Sequence, residues 1–277
     1  DVDDEEGDPE TWRKVQPHLG VTVYEDFYKS EYQKALYSAD DALEFRTKLL
    51  NIFASNSATT WIEAKQIEER FKKVQIENIT SKPPTMVGVD LSVRDDFSTV
   101  TYNLYSVDSR SFHSYTDYYF PDGALEKHPN CELYKGWVKA GYLKLCKGDI
   151  IDYQQIVDDI LKMANYLCIM GIGYDPYKSA EFVNLLSSSV GGEADIINPV
   201  KQTYGTFTSP VESFEIAIYS NKISFDPNPI TPYCFANAVL DEDRNCNRKP
   251  IKKTHNAKID STITNLMTFH LFNNLTS

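Results

Sequence analysis

The stretch "CIMGIGYDP", residues 168 to 176, constrains the fold more than any other. It is a nearly continuous apolar run that ends in an Asp-Pro dipeptide, and it is far too short to span a membrane. A strand without polar alternation suits the middle of a sheet covered on both faces. Its neighbours agree: "DYQQIVDDILKMANYL" before it and "KSAEFVNLLSSS" after it carry apolar residues at helical spacing. Helix, buried strand, helix is the repeat from which layered α/β sheets are built.

The rest of the chain after Pro84 fits that sheet. "MVGVDLS", "FSTVTYNLYSVD" and "SFHSYTDYYF" are strand-like runs joined by the short links "RDDF" and "DSR", which predicts an antiparallel meander. "EADIINPV" is a short strand. "SPVESFEIAIYSNK" reads as a helix opened by Ser209 as cap and Pro210 at the first position. The last helix, "NAKIDSTITNLMTFHLF", has an apolar stripe of Ile259, Ile263, Leu266, Met267 and Leu271. The expected fold class is therefore α/β, a mixed sheet flanked by helices.

Upstream the texture is helical. "YEDFYKSEYQKAL" and "SADDALEFRTKLLNIF" have helical periodicity, the second with Ser38 as N-cap and Asp40, Asp41 and Glu44 in its first turn. "SNSATTWIEAKQIEERFKK" adds a turn and a third helix. The two prolines of "ITSKPPT" break the chain, which predicts a helical segment over residues 1–80 and an α/β domain over residues 81–277. The chain begins "DVDDEEGDPETW", with neither Met nor a signal peptide, and reads as part of a longer protein. Five cysteines, Cys131, Cys146, Cys168, Cys234 and Cys246, form no CxxC pair. A disulfide framework or structural zinc site is not expected, and a reducing, intracellular setting fits.

A formal charge of -12 argues against a protein that coats nucleic acid. The charge is uneven, however. Residues 1–80 hold 17 acidic and 10 basic side chains, whereas "RNCNRKPIKKTHNAK", residues 244–258, holds six Lys/Arg and no acid. From charge alone that run is a solvated loop. "LDEDRNCNRKPIKK" also reads as two short strands around a turn at Asn245–Asn247. Such a hairpin would place Arg244, Arg248, Lys249, Lys252 and Lys253, and Lys258 beyond them, beside the start of the last helix, as a local basic arm whose expected role is to bind DNA phosphates.

Three aspartates occupy unusual positions. Asp90 sits in a strand, where Asp is disfavoured; Asp175 ends the apolar strand; Asp260 lies in the first turn of the last helix. Singly, Asp175 is also explained as a turn residue and Asp260 as first-turn charge. Ligand sites in α/β sheets gather at strand ends. Three converging carboxylates need a counter-charge, and Mg²⁺ or Mn²⁺ prefers oxygen ligands. That set suits two-ion phosphodiester hydrolysis. Asp95, Asp96 and Asp149 are weaker candidates, Asp96 for a supporting role. No GxxxxGK[ST] phosphate loop and no GxSxG elbow occurs.

Taken in order, "VGVDLSVRDDFST", "IGYDPYKSAEFV", "TFTSPVESFEIAIYSNKISFDPNPITPYCFANAVL", "DRNCNRKP" and "KIDSTITNLMTFHLF" resemble the large subunit of a tailed-bacteriophage DNA-packaging terminase. "DPETWRKVQPHLGVTV" and "EFRTKLLNIFASNSATTWI" resemble the segment that joins the family's ATPase domain to its nuclease domain. The resemblance implies an RNase H-like, metal-dependent endonuclease that cuts concatemeric viral DNA, with Asp90, Asp175 and Asp260 as catalytic ligands of two Mg²⁺ or Mn²⁺ ions. Ser261 stands where relatives often carry a small residue or Gly after "KID". Implied partners are double-stranded DNA, an ATPase domain of the same polypeptide, the terminase small subunit and the portal, in the host cytoplasm and away from membranes. The competing readings are a resolvase- or transposase-type nuclease, an actin-like sugar kinase, and a metal-free interaction module. A sugar kinase needs Gly/Thr-rich turns after the first strand, and "LSVRDDFST" has none.

Overall fold

The computed structural model describes residues 7–16, 18–20, 23–36, 45, 49–50, 60–94, 96–254 and 257–276. It divides into two units, Asp1–Thr59 and Thr60–Ser277. In the first, α1 (Pro9–Val15) and α2 (Glu25–Ala35) carry Trp12 and Tyr28 into a small aromatic cluster with Leu19, Phe45 and Leu50. Asp8 caps α1 by accepting the Glu10 N–H at 2.9 Å. The expected helix with Ser38 as cap and Asp40, Asp41 and Glu44 in its first turn lies outside the described residues.

The second unit holds α3 (Ala64–Glu68), β1 (Pro84–Asp90), β2 (Ser98–Ser106), β3 (Ser111–Pro121), α4 (Asp122–Leu125), α5 (Cys131–Lys139), β4 (Lys144–Cys146) and α6 (Tyr153–Met163). It continues with β5 (Cys168–Tyr174), α7 (Ala180–Val190), β6 (Ile197–Pro199), α8 (Tyr204–Tyr219), β7 (Ile223–Phe225), α9 (Ile230–Ala236), β8 (Ala238–Glu242), β9 (Arg248–Lys252) and α10 (Asp260–Thr276). The main sheet has the order β4-β3-β2-β1-β5-β6, with β7 also paired to β3. β1, β2 and β3 form the expected antiparallel meander, and β5 lies parallel beside β1. β4 and β7 were not expected; at three residues each they are too short to carry a period. Among the described residues no helix is long and apolar enough to cross a membrane.

The domain boundary differs from the expected one. The division falls after Thr59, not at the prolines near residue 81. Ile62 and Ile67 are fully buried with Phe214, Phe225 and Phe235, and the Trp61 ring packs at a tilt against Phe214, centroids 5.7 Å apart. The backbone of Lys72 donates to the Phe225 carbonyl at 2.8 Å, and Phe225 donates to Arg70 at 3.0 Å. Prolines mark a break in local structure, but burial decides which core a segment joins, and residues 60–80 join the α/β core.

The sheet's two faces differ in chemistry. Val87, Val89, Val100, Tyr102 and Ile172 form an apolar face against α6 and α7. The alternate residues meet α10, whose every residue from Asp260 to Phe269 is buried. Thr101 Oγ1 lies 2.6 Å from Thr264 Oγ1 and 2.9 Å from Thr116 Oγ1; Asn103 donates to Thr268 at 3.0 Å and Ser114 to Asn265 at 2.8 Å. Burial of hydroxyls and amides is tolerated because they pair with one another. Two local expectations shift. Cys168 and Met170 at the start of β5 are exposed, so cover on both faces is confined to Gly171–Gly173. α8 begins at Tyr204 rather than Ser209, because Thr203 Oγ1 accepts the Thr206 N–H at 3.2 Å. Pro210 then sits inside the helix and cannot bond the turn before it; His270 hydrogen-bonds the Thr206 backbone there.

Candidate active site

Gly88 brings the acids together. It faces α10 at the point of closest approach, where a Cβ would lie 2.2 Å from the Thr264 carbonyl oxygen. Two residues along β1 on the same face is Asp90, and one helical turn before Thr264 is Asp260. A strand and a helix in contact at Gly88 and Thr264 therefore bring their two carboxylates into the same region. β5 supplies the third: Val89 pairs with Tyr174, so Asp90 and Asp175 each follow at the carboxyl ends of adjacent parallel strands. Asp175 also shapes its own turn by accepting the Tyr177 N–H at 2.9 Å.

The electrostatics follow from this placement. Burial, then the Asp175 and Asp96 carboxylates, push Asp90 up to about 7, with Lys252 opposing. Burial, then Asp96 and Asp90, hold Asp260 well above the usual carboxylate range, again against Lys252. Asp260 is only 6% exposed, and its Oδ2 accepts no hydrogen bond. A buried carboxylate oxygen left unpaired is costly and receptive to a cation.

Asp96 stands among these acids and is already neutralised. Lys258 Nζ lies 2.9 Å from its Oδ1 and Lys252 Nζ 3.1 Å from its Oδ2. The Phe97 N–H also donates to Oδ1, and the Ser92 hydroxyl donates to the Asp96 carbonyl at 2.6 Å. Among the described residues no three His, Cys, Asp or Glu side chains are gathered into a ready-made ion cage. The arrangement is a repelling acid set with one orphaned oxygen, held in check by two lysines. Those features fit an oxygen-preferring divalent ion. Asp149 lies exposed beside Gly123, and Asp95 is outside the described residues.

The basic run forms the expected hairpin of β8 and β9. Its turn starts at Asp243, whose carboxylate accepts the N–H groups of Asn245 and Asn247 at 2.8 and 2.9 Å. The six cations do different things. Arg248 is tied to Glu215 at 3.1 Å, and Lys249 Nζ sits 4.6 Å above the Tyr204 ring. Lys253 Nζ lies 3.4 Å from Thr60 Oγ1, and Arg244 is exposed in the turn. Lys252 and the 10%-exposed Lys258 belong to the acid cluster. A cleft of about 1250 Å³ opens beside Asp96, along Leu91 and Ser92 just after Asp90. Arg94, Lys127, His128 and Lys178 also line it. Being isolated in three separate loops, they formed no motif in the sequence.

A family model described as terminase large subunit, endonuclease domain, matches residues 1–274. The chain is similar to Protein YmfN of Escherichia coli (strain K12), with 28% identity over 285 residues, 96% of this chain and 60% of that protein. In structure it is similar to the bacteriophage HK97 large terminase, with a TM-score of 0.67 and 20% identity over 98% of this chain and 55% of that one. The chain thus spans little more than half the length of these two relatives. The structural likeness shows the fold, a mixed RNase H-like sheet flanked by helices. With the family model covering almost its whole length, the chain belongs to the endonuclease-domain family of terminase large subunits.

Proposed function

We propose that this chain is a divalent-metal-dependent endodeoxyribonuclease that cuts concatemeric viral DNA during genome packaging. What supports the reading is that Asp90 and Asp175 follow register-paired residues on adjacent parallel strands, that Gly88 and Thr264 bring β1 against the helix that starts at Asp260, and that Asp260 Oδ2 is buried without a hydrogen bond. Asp90, Asp175 and Asp260 would hold Mg²⁺ or Mn²⁺, with two ions as the stoichiometry that suits phosphodiester hydrolysis. When bound, the ions supply Lewis acidity and offset the charge of the phosphate. The chain's own part is to keep that charge in demand. Burial and the repulsion of neighbouring carboxylates keep Asp90 and Asp260 short of cation. Lys252 and Lys258 satisfy Asp96, so that fewer carboxylates oppose the incoming phosphate.

In this reading double-stranded DNA is the substrate, and the exposed hairpin cation Arg244, with Lys249 and Lys253, contacts phosphates beside the cleft. The first unit serves as the connection to an ATPase domain of the same polypeptide. The terminase small subunit and the portal are the further partners, and the setting is the host cytoplasm. The test is cleavage of linear duplex DNA with Mn²⁺ and with EDTA as control. Cutting that needs Mn²⁺ and is lost in Asp90→Asn, Asp175→Asn and Asp260→Asn, each still folded, supports the reading. Cutting that survives all three substitutions refutes it.

A further inference from the structure

β2 is antiparallel to both β1 and β3, and β5 is parallel to β1, so β1, β3 and β5 run the same way. Their carboxyl ends share one edge of the sheet, the edge at which α/β folds place ligands. The three loops that leave it supply Arg94 after β1, Lys127 and His128 after β3, and Lys178 after β5, and all four line the large cleft. In a chain of net charge -12 that is an inversion of sign. Among the described residues lining the cleft Asp96 is the one carboxylate, and Lys252 and Lys258 already neutralise it. A concave, cationic surface in an acidic body concentrates an anionic ligand there.

Two of these groups are held firmly. The His128 ring stacks on Tyr134 at 4.3 Å and 22°, and Tyr134 stacks on Trp137 at 5.4 Å, both within a buried cluster. Its Nδ1 accepts the Asn130 N–H at 3.1 Å, which leaves Nε2 as the donor. Lys178 has φ of 56°, a left-handed conformation that a residue with a Cβ rarely adopts. The turn that imposes it is fastened by Asp175, through the Tyr177 N–H. Strain of this kind persists where the surroundings over-determine it, and it collects at functional sites.

We propose that Arg94, Lys127, His128 and Lys178 form a phosphate-binding wall that holds the DNA backbone as it passes the aspartates, a reading that rests on the nuclease function proposed above. The wall is built from loops distinct from the basic hairpin, and its contacts position the strand without reading its sequence. Binding of a fluorescent DNA duplex, followed by anisotropy across a NaCl series in EDTA, tests it. The combined variant Arg94→Gln/Lys127→Gln/Lys178→Gln is expected to bind roughly tenfold more weakly at low salt. Its salt slope should fall by about 2.7, at roughly 0.9 per lost contact. Mn²⁺ binding, read by thermal shift, should be unchanged. Lys178→Gly separates function from structure: glycine accepts the left-handed backbone, so Tm should rise while DNA affinity falls. A folded triple variant with wild-type affinity and slope overturns the proposal, as does a Lys178→Gly variant that gains stability at no loss of affinity. Should the wild-type chain ignore duplex DNA altogether, the nuclease reading fails first.

Discussion

Gly88→Ala tests the strand–helix contact on which the acid cluster depends. The added Cβ would lie 2.2 Å from the Thr264 carbonyl oxygen and 3.2 Å from Met267 Cβ. Ordinary contact begins near 3.4 Å, so β1 and α10 must separate by about 1.2 Å. Both sides of the main clash are backbone, and no rotamer relieves it. Overpacking a core costs about 1–3 kcal/mol, and a backbone-on-backbone clash belongs at the top of that range. For a unit of this size about 3 kcal/mol corresponds to a Tm lower by roughly 6–12 °C. The shift also carries Asp260 away from Asp90, so Mn²⁺ should stabilise the variant less than it stabilises the wild type. Gly205→Ala is the control. Nothing lies within 4 Å of a Cβ there, and in α8 alanine is favoured over glycine by roughly 0.5–1 kcal/mol. Differential scanning calorimetry with and without Mn²⁺ reads both variants. A loss of less than about 2 °C in Gly88→Ala, with an undiminished Mn²⁺ response, would refute the argument that this close approach sets the site.

Further outcomes follow from the same geometry. A chain beginning at Thr60 should unfold cooperatively, whereas one beginning at Lys82 should not. The latter loses Trp61, Ile62, Ile67 and Phe71, and at about 2–5 kcal/mol per large core side chain the deficit exceeds the stability of most domains. Circular-dichroism melts decide this, and a sharp transition in the shorter chain would return residues 60–80 to an accessory role. Asp90 binds its proton more tightly in the folded state, its carboxyl moving from 3.8 to about 7. The folded state is therefore penalised progressively as pH rises across that interval, with the full penalty above about 7. In metal-free buffer Asp90→Asn should raise Tm at pH 8 and leave it nearly unchanged at pH 4; equal effects at both would show that charge is not the cause. Mn²⁺ binding should also release protons near pH 6, visible by calorimetry in buffers of different ionisation enthalpy, and buffer-independent heats would contradict it.

By itself the sequence determined the α/β class, the meander, the basic hairpin and the three aspartates as candidates. Each is a matter of local period or of a residue type out of place: alternation in "MVGVDLS", an uninterrupted apolar run before Asp175, a strand interrupted by Asp90. Tertiary structure alone decided what those residues meet. Trp61 and Ile62 sit upstream of two prolines yet belong to the α/β core, since a local break says nothing about where a side chain is buried. The Thr and Asn residues of β2 look solvent-facing in a two-period reading, but α10 covers them with hydroxyls and amides of its own. Lys252 and Lys258 read as cations for DNA, and the fold turns them inward onto Asp96, which counted in the sequence only as a minor candidate. Arg94, Lys127 and Lys178 are single charges in separate loops; they share a cleft because β1, β3 and β5 point the same way. Charge convergence across loops is set by strand direction and order, and neither is written in the spacing of residues along a chain.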